Sequence, residues 1–551
     1  MALNYRPVDR DQSFLIPPDM RDWLPTNHLA WFLIDVVKQL DTSALHDKTK
    51  LGGTGRGGYN PDLLLAVWIY ASARGISSSR QIERACIEDV AFRVLCGQDV
   101  PDHTVLARFR QRNRGAMAGL FAQVLVLCVS RGLGKFGVIA IDGTKIKANA
   151  SKDQNRSLKK LRDLAKTILD QAAATDAAED AANTPTADDD LPDGFEPGPD
   201  RATRIRAELD TIRAAIEPEP ETDSATEDTT DAAVKQKDPP GPGGSRLERI
   251  QDGIAQLEAV VKAENDPLIE ALQTRLLCAQ ERLSDLEAKQ AASRARFAAK
   301  PNGYPPRENN GRWHKAVHGV AFAEANLARA RERADRQLSG ETESTGRYLL
   351  RRNITDPDSR LMHARDGFVQ SYNAQLATAD DQLIIAVDVV TAPNDQGQLI
   401  PMMANLETNL RRCQQETSRT DLDVGLVVAD NGYLSNENVD APGFDRLLAP
   451  GRGKMKDGAW AGTINAKSGE ARSHAVNTMV TKLALPGNQK IYNRRGVLVE
   501  PVNAFLKDRR GLRQFACRGH AAAQAEVHFA ALTTNLMKLF TAGLTAAPAT
   551  S

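Results

Sequence analysis

The chain has 551 residues, more than a single hydrophobic core accommodates, so roughly two to four domains are expected. Lys plus Arg and Asp plus Glu both number 71, so the formal net charge is zero and overall charge identifies no partner. Six scattered cysteines without a CxxC pair argue against a disulfide framework or zinc ribbon. No stretch approaches the ~20 apolar residues of a membrane span, so a cytoplasmic protein without membrane contact is expected.

Charge distribution says more. A strongly acidic tract over about 171–240 offsets an excess of Arg and Lys elsewhere, so the folded parts are basic on balance, which suits nucleic acid. From the N-terminus, HLAWFLIDVVKQL (28–40) has a helical apolar period, and Asn60-Pro61 reads as an N-cap with proline at the first helical position of the next helix. Short capped helices follow, and their spacing resembles a helix-turn-helix bundle. Its candidate groove-facing helix runs from Asp102 to Arg114, where Arg108, Arg110, Arg112 and Arg114 crowd together; an arginine-rich surface helix is the alternative. Leu120–Val129 is an apolar helix leading to the next domain.

FGVIAI (136–141) reads as a buried strand ending in Asp142-Gly143-Thr144, either a structural turn or a place for a metal or base. The acidic tract, about 171–245, is too poor in large apolar groups to offset its ordering entropy and is expected to be disordered. From Arg246, Leu247, Ile250, Ile254, Leu257 and Val261 recur at helical steps, and Leu272, Leu276, Ala279, Leu283 and Leu286 resume after Pro267. Two helices meeting at Asn265-Asp266-Pro267 are expected, packed as a hairpin or against a partner chain, with 320–337 in the same arm. Residues 366–379 and 381–390 then read as a strand hairpin. Asn394-Asp395 and a helix from Pro401 follow, and VGLVVAD (424–430) is a second buried strand ending in Asp430. Trp460 lies in a polar segment, and 525–540 closes the domain as an amphipathic helix.

YNRRGVLVEPVNAFLK (492–507), taken as one helix, sets Arg495 about 60° behind Tyr492 and Lys507 about 20° behind Glu500. A carboxylate above a lysine, with an arginine and a phenol nearby, suits a polyanion that also needs a divalent metal; solvated surface charges are the bland reading. Asp142, Asp430 and Glu500 make three carboxylates for such a metal site, and adjacent strands can bring Asp142 and Asp430 together. Hard oxygen donors without clustered His or Cys favour two Mg²⁺ or Mn²⁺ ions over zinc.

These blocks resemble the DDE transposases of bacterial insertion sequences, in the branch with a Tyr, Arg, Glu, Lys signature. Tyr492, Arg495, Glu500 and Lys507 have that signature's spacing, and DGTKIKANAS (142–151), DPDSRLM (356–362), GFVQSYNAQ (367–375), ADNGYLS (429–435) and VEPVNAFLK (499–507) follow the family's order. The resemblance covers roughly 28–150 and 350–540. It departs at Asn503, where a larger apolar residue is more usual, and this position is expected off the metal-facing side.

The resemblance implies an RNase H-like α/β fold with a mixed five-stranded sheet flanked by helices. An all-α helix-turn-helix-type domain (1–130) would precede the catalytic domain (131–151 and 350–541), with a coiled-coil-like helical arm and the acidic linker inserted between (152–349). It implies Asp142, Asp430 and Glu500 as catalytic metal ligands and Tyr492, Arg495 and Lys507 as DNA-end contacts; Arg108, Arg110 and Arg112 are the further DNA contacts that the arginine-rich helix itself offers. Double-stranded DNA, both element ends and target, would be the substrate of a homodimer working in the bacterial nucleoid. Lys145, Lys147 and Trp460 are weaker contact candidates, while Asp388, His520 and His528 read as structural. A nuclease without strand transfer and a catalytically idle DNA-binding regulator are the competing readings.

Overall fold

The computed structural model describes residues 19–46, 58–182, 245–300, 305–306, 310–339, 351–364, 367–417, 419, 421–456, 459–464 and 474–543. The chain divides into two compact units, Met1–Leu161 with Pro242–Ser551, and Arg162–Gly241. The described residues of the second unit, 162–182, are helical throughout. This corrects the expected start of disorder near 171: QAAATDAAEDAA is alanine-rich and continues a helix at little cost. The rest of the acidic tract, 183–244, lies outside the described residues.

In the first unit, seven α-helices come first among the described residues: α1 (Leu29–Val37), α2 (Ser43–His46), α3 (Pro61–Ala73), α4 (Ser79–Glu88), α5 (Val90–Leu95), α6 (His103–Arg112) and α7 (Met117–Ser130). Asn60 and Asp102 cap α3 and α6 through their side chains, accepting from the Asp62 and Thr104 amides at 2.8 and 2.7 Å. Every residue of α3 from Leu64 to Ser72 is buried, and its Trp68 indole donates to the Leu106 carbonyl of α6. An arginine-rich helix is thereby fastened to an apolar one.

The sheet holds β1 (Val138–Lys147), β4 (Arg360–Ala364), β5 (Gly367–Thr378), β6 (Ile384–Val390), β7 (Leu426–Ala429) and β8 (Arg446–Leu448). It has six strands where five were expected, because β5, 12 residues long, takes β4 against its first half and β6 against its second. On its other edge β5 pairs antiparallel with β1, β1 pairs parallel with β7, and β7 parallel with β8. Strand alternation divides the core: Ile139 and Ile141 face one apolar cluster, Val138 and Ala140 another. The first cluster contains α1, α3, α7, α11 (Leu399–Thr417) and α16 (His520–Thr541), so the N-terminal helices share a core with the sheet. The second contains side chains of α13 (His474–Leu483), α14 (Asn488–Asn493) and α15 (Arg495–Ala504).

β2 (Asn155–Ser157) and β3 (Arg351–Asn353) pair antiparallel, clamping the two ends of the insertion. Within it, α9 (Arg246–Ala299) is one continuous helix with Pro267 inside it, which corrects the expected break at 265–267. Its 54 residues reach roughly 80 Å. The partner in the hairpin is therefore α10 (Gly311–Ser339), and a buried Asn265–Gln337 side-chain bond of 2.7 Å ties the two. Leu272, Leu276, Ala279, Leu283 and Leu286 are the half-buried seam of α9. Among the described residues no single helix is long and apolar enough to cross a membrane; the one bent pair that passes, α6 with residues 114–130, lines the core.

Candidate active site

Parallel pairing of β1 with β7 places Ile141 opposite Ala429, so the next residues, Asp142 and Asp430, stand side by side although 288 positions separate them. Asp142, expected at a strand end, instead lies within β1, which continues to Lys147 because β5 keeps pairing with it. Asp430 does follow the last residue of β7, where its Oδ1 accepts the Gly432 amide at 2.7 Å.

Across them runs α15. Leu498 and Val499 bury its apolar side on the cluster holding Val138 and Ala140. Pro501 brings no N–H to the Val497 carbonyl one turn earlier, and the Gln382 side chain donates to that carbonyl instead, at 3.0 Å. Tyr492 to Lys507 is not the single helix expected: α14 ends at Asn493, α15 starts at Arg495, and Phe505–Arg509 is a π-helical turn. The angular relations read from one uniform helix therefore do not hold.

Glu500 is exposed, and its Oε1 would lie 3.2 Å from a Cβ at Gly496, so the carboxylate folds back over that glycine. One turn on, the Asn503 amide donates to Asp142 Oδ2 at 3.0 Å. Asn503 is thus in the site rather than off it, because this face of α15 turns toward β1. The Arg495 guanidinium stands 3.6 Å from Asp142 Oδ1. The Tyr492 ring is buried in the second core cluster, close enough to Arg495 for their side chains to bond.

A fourth carboxylate, Asp395, completes the centre. Its Oδ1 accepts from the Asn373 and Gln375 amides, each at 2.7 Å, and the Tyr433 hydroxyl donates to Gln375 Oε1. A Cβ on Gly143 would come within 2.3 Å of Asp395 Oδ1, and one on Gly432 within 3.2 Å of Oδ2. Asp395 therefore fills the space between the two aspartate turns. Asp395 comes five residues after the buried run of β6, whereas Asp142 and Asp430 directly follow theirs, so its sequence signal is the weaker one.

The charges leave Asp142 poorly compensated. Burial, reinforced by Asp430, Asp395 and Glu500 and opposed by Arg495, pushes its carboxyl up to about 7. Burial and Asp395 also raise Asp430, against the Gly432 amide and Arg495. Burial works against the charge on Arg495, yet Asp142, Tyr492, Asp430 and Glu500 together hold it above its usual value. Burial and Arg513 lower Lys507, with Asp142 opposing.

Four carboxylates and one carboxamide, oxygen donors with excess negative charge, fit Mg²⁺ or Mn²⁺. Asp142, Asp430 and Glu500 do not lie within 4.8 Å of one another as a single-ion trio does; among the described residues Glu83, Asp102 and His103, between α4 and α6, meet that spacing.

Of the remaining candidates, Arg108 and Arg112 are exposed on α6. Arg110 is half-buried, its guanidinium 5.1 Å from the Trp68 ring centre and bonded to the Ser77 carbonyl. Lys145 donates to the His363 carbonyl, while the Trp460 side chain lies outside the described residues. His520 and His528 bond to the Val389 and Gln524 carbonyls.

A mixed α/β fold with carboxylates gathered at adjacent parallel strands is the class of the RNase H-like enzymes. Two family models match: the Transposase domain (DUF772) over residues 18–112 and the Transposase DDE domain over 342–536. The chain belongs to the DDE transposases of the insertion-sequence type. Asp430 and Glu500 fall within the second match, and Asp142 falls between the two. No curated protein and no solved structure matches the chain.

Proposed function

We propose that the protein binds the terminal inverted repeats of its own element, cleaves at the ends and joins the freed 3′-hydroxyl to target DNA. The observation that carries this reading is the meeting of Asp142, Asp430, Glu500 and Arg495, from three separate stretches of chain, around one poorly compensated negative centre. Asp142, Asp430 and Glu500 would hold two divalent cations, which supply Lewis acidity to the attacking and leaving oxygens of a phosphodiester. Arg495 and Lys507 bring positive charge to the same centre and orient phosphates. Tyr492, with its ring in the core, acts by steering Arg495. Cleavage and joining are the same in-line displacement with water or a 3′-hydroxyl as nucleophile, so one centre serves both.

Residues 1–130 would bind the repeat through Arg108 and Arg112, with Arg110 holding α6 against Trp68. Residues 131–151 and 350–541 would form the catalytic domain, and the arm within 152–349 would pair two protomers on two ends. The test is incubation of the protein with Mg²⁺ and labelled end-bearing DNA. Wild type yields cleaved and joined products, and Glu500→Gln loses both by at least on the order of a thousandfold. Cleavage without joining would favour a nuclease. Joined products persisting in the variant would remove Glu500 from the site.

A further inference from the structure

We infer that Asn503 positions the Asp142 carboxylate for divalent-cation binding, an inference that rests on the assignment above of Asp142 as a metal ligand. On α15, Glu500 and Asn503 are three residues apart and so share a face. Through that face the helix reaches Asp142 with an amide as well as the nearby carboxylate. The Asn503 Nδ2 donates to Asp142 Oδ2 at 3.0 Å, while Arg495 stands 3.6 Å from Oδ1. The two oxygens are therefore approached by different donors. Without the amide, Oδ2 loses its partner and the carboxylate is free to turn both oxygens toward Arg495, the geometry guanidinium prefers and the one that competes with a cation.

A second observation argues that the amide is there for this bond. Asn503 Oδ1 is buried without a hydrogen-bond partner. An orphaned acceptor is destabilising, and an apolar side chain of similar size would avoid it. Among the described residues other buried side-chain atoms, Asn113 Oδ1 and Asp356 Oδ2 among them, share that condition, but Asn503 Oδ1 lies beside the carboxylate that the other half of the same amide holds. Local rules broken beside an active centre are the usual mark of a functional demand.

The experiment titrates full-length wild type, Asn503→Leu, Asn503→Ala and Glu500→Gln with MgCl₂ and with MnCl₂, reading the rise in melting temperature, with end cleavage measured over the same Mg²⁺ range. Asn503→Leu and Asn503→Ala are expected to melt at or above wild type without metal and to need about tenfold more Mg²⁺ for half-maximal shift and half-maximal cleavage, with cleavage recovering at saturation. Two variants of different size guard against a packing defect in either. If both folded variants titrate like wild type while Glu500→Gln has lost its response, Asn503 is only a packing residue and the inference is overturned. A Glu500→Gln chain that still responds and cleaves overturns the assignment of the site, and the inference with it.

Discussion

Asp142 and Gly143 show how little freedom the centre has. Asp142 is held by one amide and faced by one guanidinium, and a single added methyl at Gly143 would strike Asp395 and Gln375. Gly143→Ala should therefore abolish end cleavage and lower stability by about 2–3 kcal/mol, because the displaced groups are buried hydrogen-bond partners; urea unfolding within about 0.5 kcal/mol of wild type would contradict this. The raised Asp142 carboxyl has a pH consequence. Its folded value of about 7 exceeds its ordinary value of 3.8, so the metal-free fold binds this proton more tightly than the unfolded chain does. Stability from this group falls as pH rises between those values, and the penalty is complete above about 7. Divalent cations remove that penalty, so Mg²⁺ should raise the melting temperature more at about pH 8 than at about pH 5.5. Equal shifts at the two pH values would show that Asp142 does not meet the cation, and Asp142→Asn should flatten the difference.

At the scale of elements, a half-buried cation adds to the apolar core that the N-terminal helices share with the catalytic sheet. Arg510, just past the π-helical turn, donates to the Ser72 and Ala73 carbonyls at the end of α3 and to the Thr534 hydroxyl of α16. Arg510→Met should cost about 2 kcal/mol, measured by urea unfolding, since hydrogen bonds from a charged donor to partly buried carbonyls are the stronger kind. A loss below about 0.5 kcal/mol would mean that solvent replaces the arginine. The same turn explains why the Tyr, Arg, Glu, Lys stretch was legible in composition and not in geometry. Residue types and spacing belong to the sequence, but a break at Arg494 and a widened turn at 505–509 re-aim Arg495 and Lys507. In the arm, Pro267 carried a helix-stop signal that the long seam with α10 outweighs.

For the molecule as a whole, the hairpin of α9 and α10 leaves Leu268, Leu277 and Phe322 exposed. Replacing 266–338 by a short flexible linker should leave the catalytic core folded and abolish dimers on paired DNA ends, read by light scattering; persisting dimers would move the contact elsewhere. Local chemistry in the sequence by itself determined the caps at Asn60 and Asp102, the buried strands leading to Asp142 and Asp430, and the helical arm, because capping and apolar period act between near neighbours. It determined the transposase family too, through blocks whose order survives along the chain. Only the tertiary structure decided which polar groups share a centre. Asp395 and Asn503 join it because a parallel strand register and the rotation of α15 set distances between residues far apart in the chain, which no local pattern encodes.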